Sequence, residues 1–392
     1  MPPAVSRRSI LLGSGAGLIG AATDPGAPRQ SFRYAYVGSR MKSGAGLTVW
    51  RTGAPPARWE LVQTVPAGDA PAGQIPMKPH FLALSADKRR LYAVHGDATQ
   101  VSAFAVDPGT GLLTLLNTVD TGRRNPAHLA VDPTGRWLVV AHVTPPGSVT
   151  SLPIAATGRL GAVTGVLQLP GTPGPHKTQQ LGANPHQIVF DATGRWIVIP
   201  DRGLDRVFTA VLDAATGALR LNRPGWVQAR EMDGPRHLAF HPSRPFAYVV
   251  NELRSTVTTY QWDAAAGTLR PLQVLASTPP TTTGDSRAAE IAVAPSGGHV
   301  YVSNRGETGS GPDTIGVFGV DPRAGTLLPG SWVPAEGSSP RFFCLDPSGR
   351  QLLVANEGSG TIVGFTVDAA GGGLTDGGVL ARTGAPACIV LR

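Results

Sequence analysis

The chain has 392 residues, of which 41% are hydrophobic and 15% charged, and it carries a formal charge of +8. This composition supports a large core and excludes a globally disordered chain. There is no Lys/Arg run of five or more and no basic–aromatic interleaving, so nucleic acid is not an expected partner; the charge fits either a plain basic surface or a preference for anionic substrates.

The first predicted element is a targeting segment. "SRRSILLGSGAGLIGAAT" places Arg7-Arg8 before an apolar run from Ile10 to Ala22, with small residues at its end. That order reads as a signal peptide over residues 1–22, of the twin-arginine kind that exports folded proteins, with Ile10 where Phe is common. A periplasmic address follows, with a linker over 23–31. No stretch reaches the ~18–20 apolar residues of a membrane span, so stable membrane insertion is not expected.

From Phe32 to Arg392 the sequence repeats itself. "KPHFLALSADKRRLYAVHGD", "NPAHLAVDPTGRWLVVAHV", "NPHQIVFDATGRWIVIPDRGLDRV", "GPRHLAFHPSRPFAYVVNEL", "AAEIAVAPSGGHVYVSNRGE" and "SPRFFCLDPSGRQLLVANEG" share one pattern. An apolar strand begins at Pro79, Pro126, Pro185, Pro235, Ala288 or Pro340. A turn such as Asp132-Pro133-Thr134-Gly135 leads to a second apolar strand. Two more strands follow, joined by an Asp-x-x-x-Gly turn at Asp107–Gly111, Asp213–Gly217, Asp263–Gly267 and Asp321–Gly325. Four short strands per ~50 residues, with no helical period, predict β-propeller blades. The lone strand "APACIVLR" at the C-terminus supplies the first strand of a blade whose other three come from Phe32 to Val65. Seven blades in one domain, 32–392, are therefore expected, closed by a blade shared between the two ends. The run is expected to be a monomer.

Antiparallel hairpins bring the start of each first strand beside the end of each second strand, at one mouth of the ring. The position after the anchor holds His80, Ala127, His186, Arg236, Ala289, Arg341 and Ala387. The second strands end in His95-Gly96, His142-Val143, Asp201-Arg202, Asn251-Glu252, Asn304-Arg305 and Asn356-Glu357. Cations and a carboxylate converging in a concave site mark a candidate ligand site. Asn251, Asn304 and Asn356 have a plainer reading as caps of backbone groups. Cys344 and Cys388, the only cysteines, lie in apolar runs and are expected as buried thiols rather than a bridge.

On these residues the chain resembles the seven-bladed lactonase propeller family, which includes propeller-type 6-phosphogluconolactonases and fungal carboxymuconate cycloisomerases. The resemblance spans nearly all of 32–392. It implies a catalytic set of one His, two Arg and one Glu, falling on His186, Arg236, Glu252 and Arg305. Arg202, His80, His237 and Arg341 are the expected substrate-binding residues. Two departures stand out: Asn184-Pro185-His186 replaces a His-x-His, and "HKTQQ" (His176 to Gln180) lacks an upstream Arg. The expected activity is hydrolysis of a sugar-acid lactone, with an anionic small molecule as substrate, Glu252 or His186 as base, and Arg236 and Arg305 holding the oxyanion. No cofactor or metal is expected, because no carboxylate cluster of the calcium-binding kind is present. A non-catalytic binding propeller and a lactone-forming cycloisomerase are the alternative readings of the same residues.

Overall fold

The computed structural model describes residues 32–40, 44–53, 57–67, 76, 78–306 and 313–392. The expected signal segment and linker lie outside the described residues. Among the described residues every regular element is a strand, and the strands form seven four-stranded antiparallel sheets. Six sheets are consecutive in sequence, and we number them as blades I (79–120), II (126–168), III (185–228), IV (235–276), V (286–334) and VI (340–382). Blade VII pairs the C-terminal strand Pro386–Leu391 with Tyr34–Ser39, followed by Gly44–Arg51 and Glu60–Ala67. The expected ring and its closure by both chain ends are observed. First strands of neighbouring blades touch one another, so they line the axis.

Each sheet buries both faces against its neighbours, which is why the second strands read as unbroken apolar runs such as Trp137–His142. Seven apolar clusters result, one at each blade junction. That between blades I and II contains Tyr92, Val94, Leu129, Leu138 and Leu152, and that between VI and VII contains Val37, Leu353, Ile362 and Ile389.

The Asp-x-x-x-Gly turns fasten these junctions. The Asp213 carboxylate accepts the Ala215 and Thr216 N–H groups, and Gly217 adopts φ +75°. A Cβ on Gly217 would lie 2.2 Å from the Trp137 ring of the preceding blade, so both the conformation and the close approach require glycine. The Trp137 indole N–H donates to the Ala214 carbonyl in the same turn, at 3.1 Å. Equivalent bonds run from Tyr36 to Gly111, Tyr92 to Gly158, Trp196 to Ala264, Tyr248 to Gly325 and Tyr301 to Gly372. The last of these uses a further turn of the same kind, Asp368–Gly372, which the sequence reading did not single out.

Two departures from a plain hairpin position the site. In blades I, II, IV and VI the register slips just after the anchor proline, between Pro79 and Phe81, Pro126 and His128, Pro235 and His237, and Pro340 and Phe342. Proline offers no N–H to the ladder and the next residue is left unpaired, so the strand bulges. Consecutive side chains such as Arg236 and His237 then line one cavity instead of alternating. In blade III the expected first strand is broken: only Val189–Phe190 is paired as strand, and Pro185 bridges Asp201 alone. Gln187 instead accepts the Leu238 N–H at 2.6 Å, and the Ile188 N–H donates to His128 Nδ1 at 3.3 Å.

Candidate active site

Both strand ends of blades I, II and III line one cavity, but only the second residue of each second-strand pair faces it. The first residue of each pair is fully buried and bonds within its own blade or to the chain beside it. His95 Nε2 meets Ser102 Oγ at 2.8 Å and His142 Nε2 meets Thr150 Oγ1 at 2.9 Å. Asn251 donates to Thr256 and Thr258, Asn304 to the Ser277 carbonyl and Asn356 to the Ala335 carbonyl. Asp201 is fully buried and accepts the N–H groups of Asn184, Gly203 and Leu204. Burial lifts it to about 7 in spite of those bonds. These residues cap blade ends, so the polar ring expected there is corrected to its second members, Arg202, Glu252, Arg305 and Glu357.

A cavity of about 180 Å³ opens among His80, His186, Arg202, Glu252 and Arg341, with Arg40, Lys78 and Asp97 at its edge. Beneath it a throat of about 10 Å³ is lined by His186, Arg236, His237, Glu290, Phe81 and Phe342. Every expected site residue is thus brought to one place. Arg305 stands behind Glu252 rather than on the cavity wall, its Nη2 3.5 Å from Glu252 Oε1. Sequence reasoning missed Arg40, Lys78, His128 and Glu290. The bulge carries the signal for the last two: two residues after each anchor stand Phe81, His128, Gln187, His237, Glu290, Phe342 and Cys388, a second tier below the first.

Glu252 sits at the hub of three guanidiniums. Arg202 Nη1 donates to its Oε1 at 2.7 Å, and Arg236 Nε lies 3.0 Å from Oε2 without hydrogen-bond alignment. Burial alone would raise this carboxyl, but Arg202, Arg305, Arg236 and Arg341 outweigh it and hold Glu252 well below the usual carboxylate range. A carboxylate so stabilised is a weak base. Arg236 also donates through Nη1 to the Ala289 carbonyl, and burial brings it down to about 10. A second group of cations shares Glu357, with Arg40 Nε at 3.5 Å and Arg341 Nε at 3.6 Å. Lys78 pairs with Asp97. Six cations therefore face three carboxylates, Asp97, Glu252 and Glu357.

The histidines among these cations are neutral. Burial, followed by Arg236, His237, Arg202 and Arg341, holds His186 well below its ordinary value, and its Nδ1 has no hydrogen-bond partner. His80 is brought down to about 3 by burial and by Arg341 and Arg40. His186 and His237 lie 5.2 Å apart between ring centroids, with His128 5.6 Å beyond His237. His186 is an uncharged imidazole on the cavity wall, and the positive charge that keeps it neutral also weakens it as a base until an anionic ligand offsets that charge.

The inserted loop supports this wall. Gln180, 2% exposed, donates to the Arg202 carbonyl at 3.0 Å and accepts the His176 N–H. Asp205 accepts the Met232 and Gly234 N–H groups and so ties blade III to the turn that precedes Arg236. Arg206 lies over the Trp226 ring and bonds Pro170, away from the cavity. Cys344 and Cys388 are free thiols. Among the described residues no group of three His, Cys, Asp or Glu side chains is placed to hold a metal ion, and no helix is long and apolar enough to cross a membrane.

Known proteins share this architecture. A family described as "Lactonase, 7-bladed beta-propeller" matches residues 34–391. A 6-phosphogluconolactonase of Bacillus subtilis (strain 168) is 31% identical over 299 residues, covering 76% of this chain and 82% of its own length. Another from Formosa agariphila is 33% identical over 295 residues, covering 74% and 81%. Among solved structures, the periplasmic gluconolactonase of Pseudomonas aeruginosa superimposes with a TM-score of 0.80 at 27% identity, over 92% of this chain and 99% of that one. A putative 6-phosphogluconolactonase from Bacteroides fragilis gives 0.82 at 27%, over 94% and 100%.

Proposed function

The chain belongs to the seven-bladed lactonase family, and from that premise we propose that it hydrolyses a sugar-acid lactone in the cavity at the channel mouth. The names of its relatives support lactone hydrolysis. The excess of cations over carboxylates around the cavity favours an anionic lactone. The observation that carries the reading is His186, a buried, neutral imidazole that lines an arginine-rich cavity.

In this mechanism His186 takes a proton from water as the oxygen attacks the lactone carbonyl carbon. Arg236 and Arg202 stabilise the oxyanion and cannot surrender a proton to it. Glu252 holds those guanidiniums in place, with Arg305 paired to it from behind. The tetrahedral intermediate collapses by breaking the bond to the ring oxygen, which leaves as an alkoxide and must be protonated. Arg341, Arg40 and His80 face the far side of the substrate. The test is a panel of phosphorylated and plain aldonolactones assayed with the wild type and H186A. Expected is turnover of at least one lactone, and a loss of roughly 10²–10⁴ in kcat for H186A. No lactone opened by the folded wild type would overturn the reading and leave a binding propeller; lactone formation from an unsaturated acid would indicate a cycloisomerase.

Residues 1–22 complete the proposal as a twin-arginine export signal, which the periplasmic location in the name of the Pseudomonas relative supports. Replacing Arg7 and Arg8 together by lysine should retain the protein in the cytoplasm in cell fractionation. Secretion unchanged by that substitution would count against it.

A further inference from the structure

The mechanism leaves one requirement unmet, a proton for the departing alkoxide, and one pair of buried groups unused. His237 Nδ1 lies 2.9 Å from Glu290 Oε1. The two side chains are 2% and 7% exposed and close the floor of the throat. Phe81 and Phe342 cover the same floor, and the Phe81 ring meets His237 edge-on at 6.2 Å. His237 belongs to blade IV, and it stands between His186 of blade III and Glu290 of blade V. With Nδ1 engaged by Glu290, its Nε2 lies on the opposite side of the ring from that carboxyl.

We propose that Glu290 and His237 form a neutral proton-sharing pair, in which Glu290 donates to Nδ1 and His237 presents Nε2–H as the transferable proton of the site. This rests on the lactonase reading above for its role, though not for its existence. The surroundings favour the neutral form. Burial pushes Glu290 up to about 8, against Arg236, the Ile291 N–H and Arg341, which lower it. Burial, Arg236 and Arg341 hold His237 well below its ordinary value, with Glu252 opposing them. The other titratable groups near Glu290 are Cys344 of blade VI and Cys388 of blade VII, both held as thiols by burial.

The step balances. As the ring C–O bond breaks, Nε2 gives its proton to the alkoxide while Nδ1 takes the proton of Glu290. One O–H bond forms on the product and one is lost from Glu290, which becomes a carboxylate, and His237 stays neutral in the opposite tautomer. The proton that His186 took from water then restores Glu290 through His237, and the proton of the new carboxylic acid leaves to solvent. His237 touches the reacting atoms; Glu290 acts through it, as a positioning residue that also stores the proton.

Nitrogen-15 NMR of histidine-labelled protein, with H237N to identify the signal, tests the pair without any substrate. At pH 7 His237 should be a neutral Nε2–H tautomer, and it should change to Nδ1–H as pH rises past about 8. In E290Q, whose amide can donate to Nδ1 but cannot release a proton, Nε2–H should persist through that range. E290Q should lose roughly 100-fold in kcat with KM changed less than about threefold, and should lack the alkaline fall in kcat of the wild type. An imidazolium or an Nδ1–H tautomer at pH 7, or wild-type kcat in E290Q, overturns the proposal. If E290Q does not fold, the wild-type spectrum decides. The expected tautomer in a protein that opens no lactone would sink the lactonase reading and the relay while leaving the pair intact.

Discussion

Replacing Glu252 by glutamine removes the one negative charge at the hub of the arginine cluster while conserving its shape. Glu252 lies 2.7 Å from Arg202, 3.0 Å from Arg236 and 3.5 Å from Arg305. At an effective dielectric of about 20 these separations correspond to gross attractions of ~6, ~5.5 and ~4.7 kcal/mol. Desolvation of all four groups and repulsion among the guanidiniums cancel most of that. The loss on breaking such a buried pair is ~3–5 kcal/mol. For a folded unit spanning Ser31–Arg392 the unfolding entropy is roughly 0.75 kcal/mol/K, so Tm should fall by about 4–7 °C at pH 7. Glu252 is held below its unfolded value, so its contribution is complete above pH ~4.5 and fades only as pH falls through the lower folded value. The assay is thermal unfolding of wild type and E252Q with increasing inorganic phosphate. The variant has one more uncompensated cation, so phosphate should raise its Tm more than that of the wild type. A Tm within 1 °C of wild type, together with an identical phosphate response, would refute the view that Glu252 holds the cluster together.

His142, bonded inside blade II, and His186 should separate cleanly: H142A should lower Tm by several degrees yet keep kcat/KM within roughly threefold, whereas H186A should do the reverse, and equal loss of activity in both would contradict the division of the ring. Stability should fall on acidification from pH 7 to 5, because His80, His128, His142, His186 and His237 resist protonation in the fold but take up protons near pH 6.5 when unfolded; the raised Asp201, Asp233 and Glu290 offset part of this, and a urea midpoint that stays level or rises at pH 5 would count against neutral histidines. Q180A, which frees the Arg202 carbonyl, should lower kcat/KM by roughly 5–20-fold, mostly through KM; unchanged kinetics would mean that the inserted loop does not position Arg202.

The blades were legible because their turns are local. Asp132-Pro133-Thr134-Gly135 and Asp213–Gly217 fix their own backbone through one carboxylate, so a short stretch of sequence suffices to recognise them. The shared blade was legible because a lone strand remained at the C-terminal end and three at the N-terminal end. What the sequence concealed was direction. Asn251 and Glu252 are neighbours at the end of one strand, yet one bonds Thr256 and the other meets Arg202 from a different blade. The same limit hid Glu290. Strict alternation assigns one side chain of every two to the axis, and the slip between Ala288 and Ile291 beside Glu290 in the throat is a property of paired strands. The broken strand at His186 escaped for a related reason, since Gln187 and Ile188 find their partners in blades IV and II.

The pairing of Tyr34–Ser39 with Pro386–Leu391 also constrains the birth of the protein. Synthesis makes Tyr34–Ser39 before the six consecutive blades and its partner Pro386–Leu391 after them, so on the ribosome that edge stays open while those blades emerge. A nascent chain can stack blades I to VI in order of synthesis, but its circle is incomplete until Pro386–Leu391 has emerged. Wholeness is then acquired in a single late event, and a chain cut short by even one strand would carry an exposed, apolar strand edge that invites pairing with another copy.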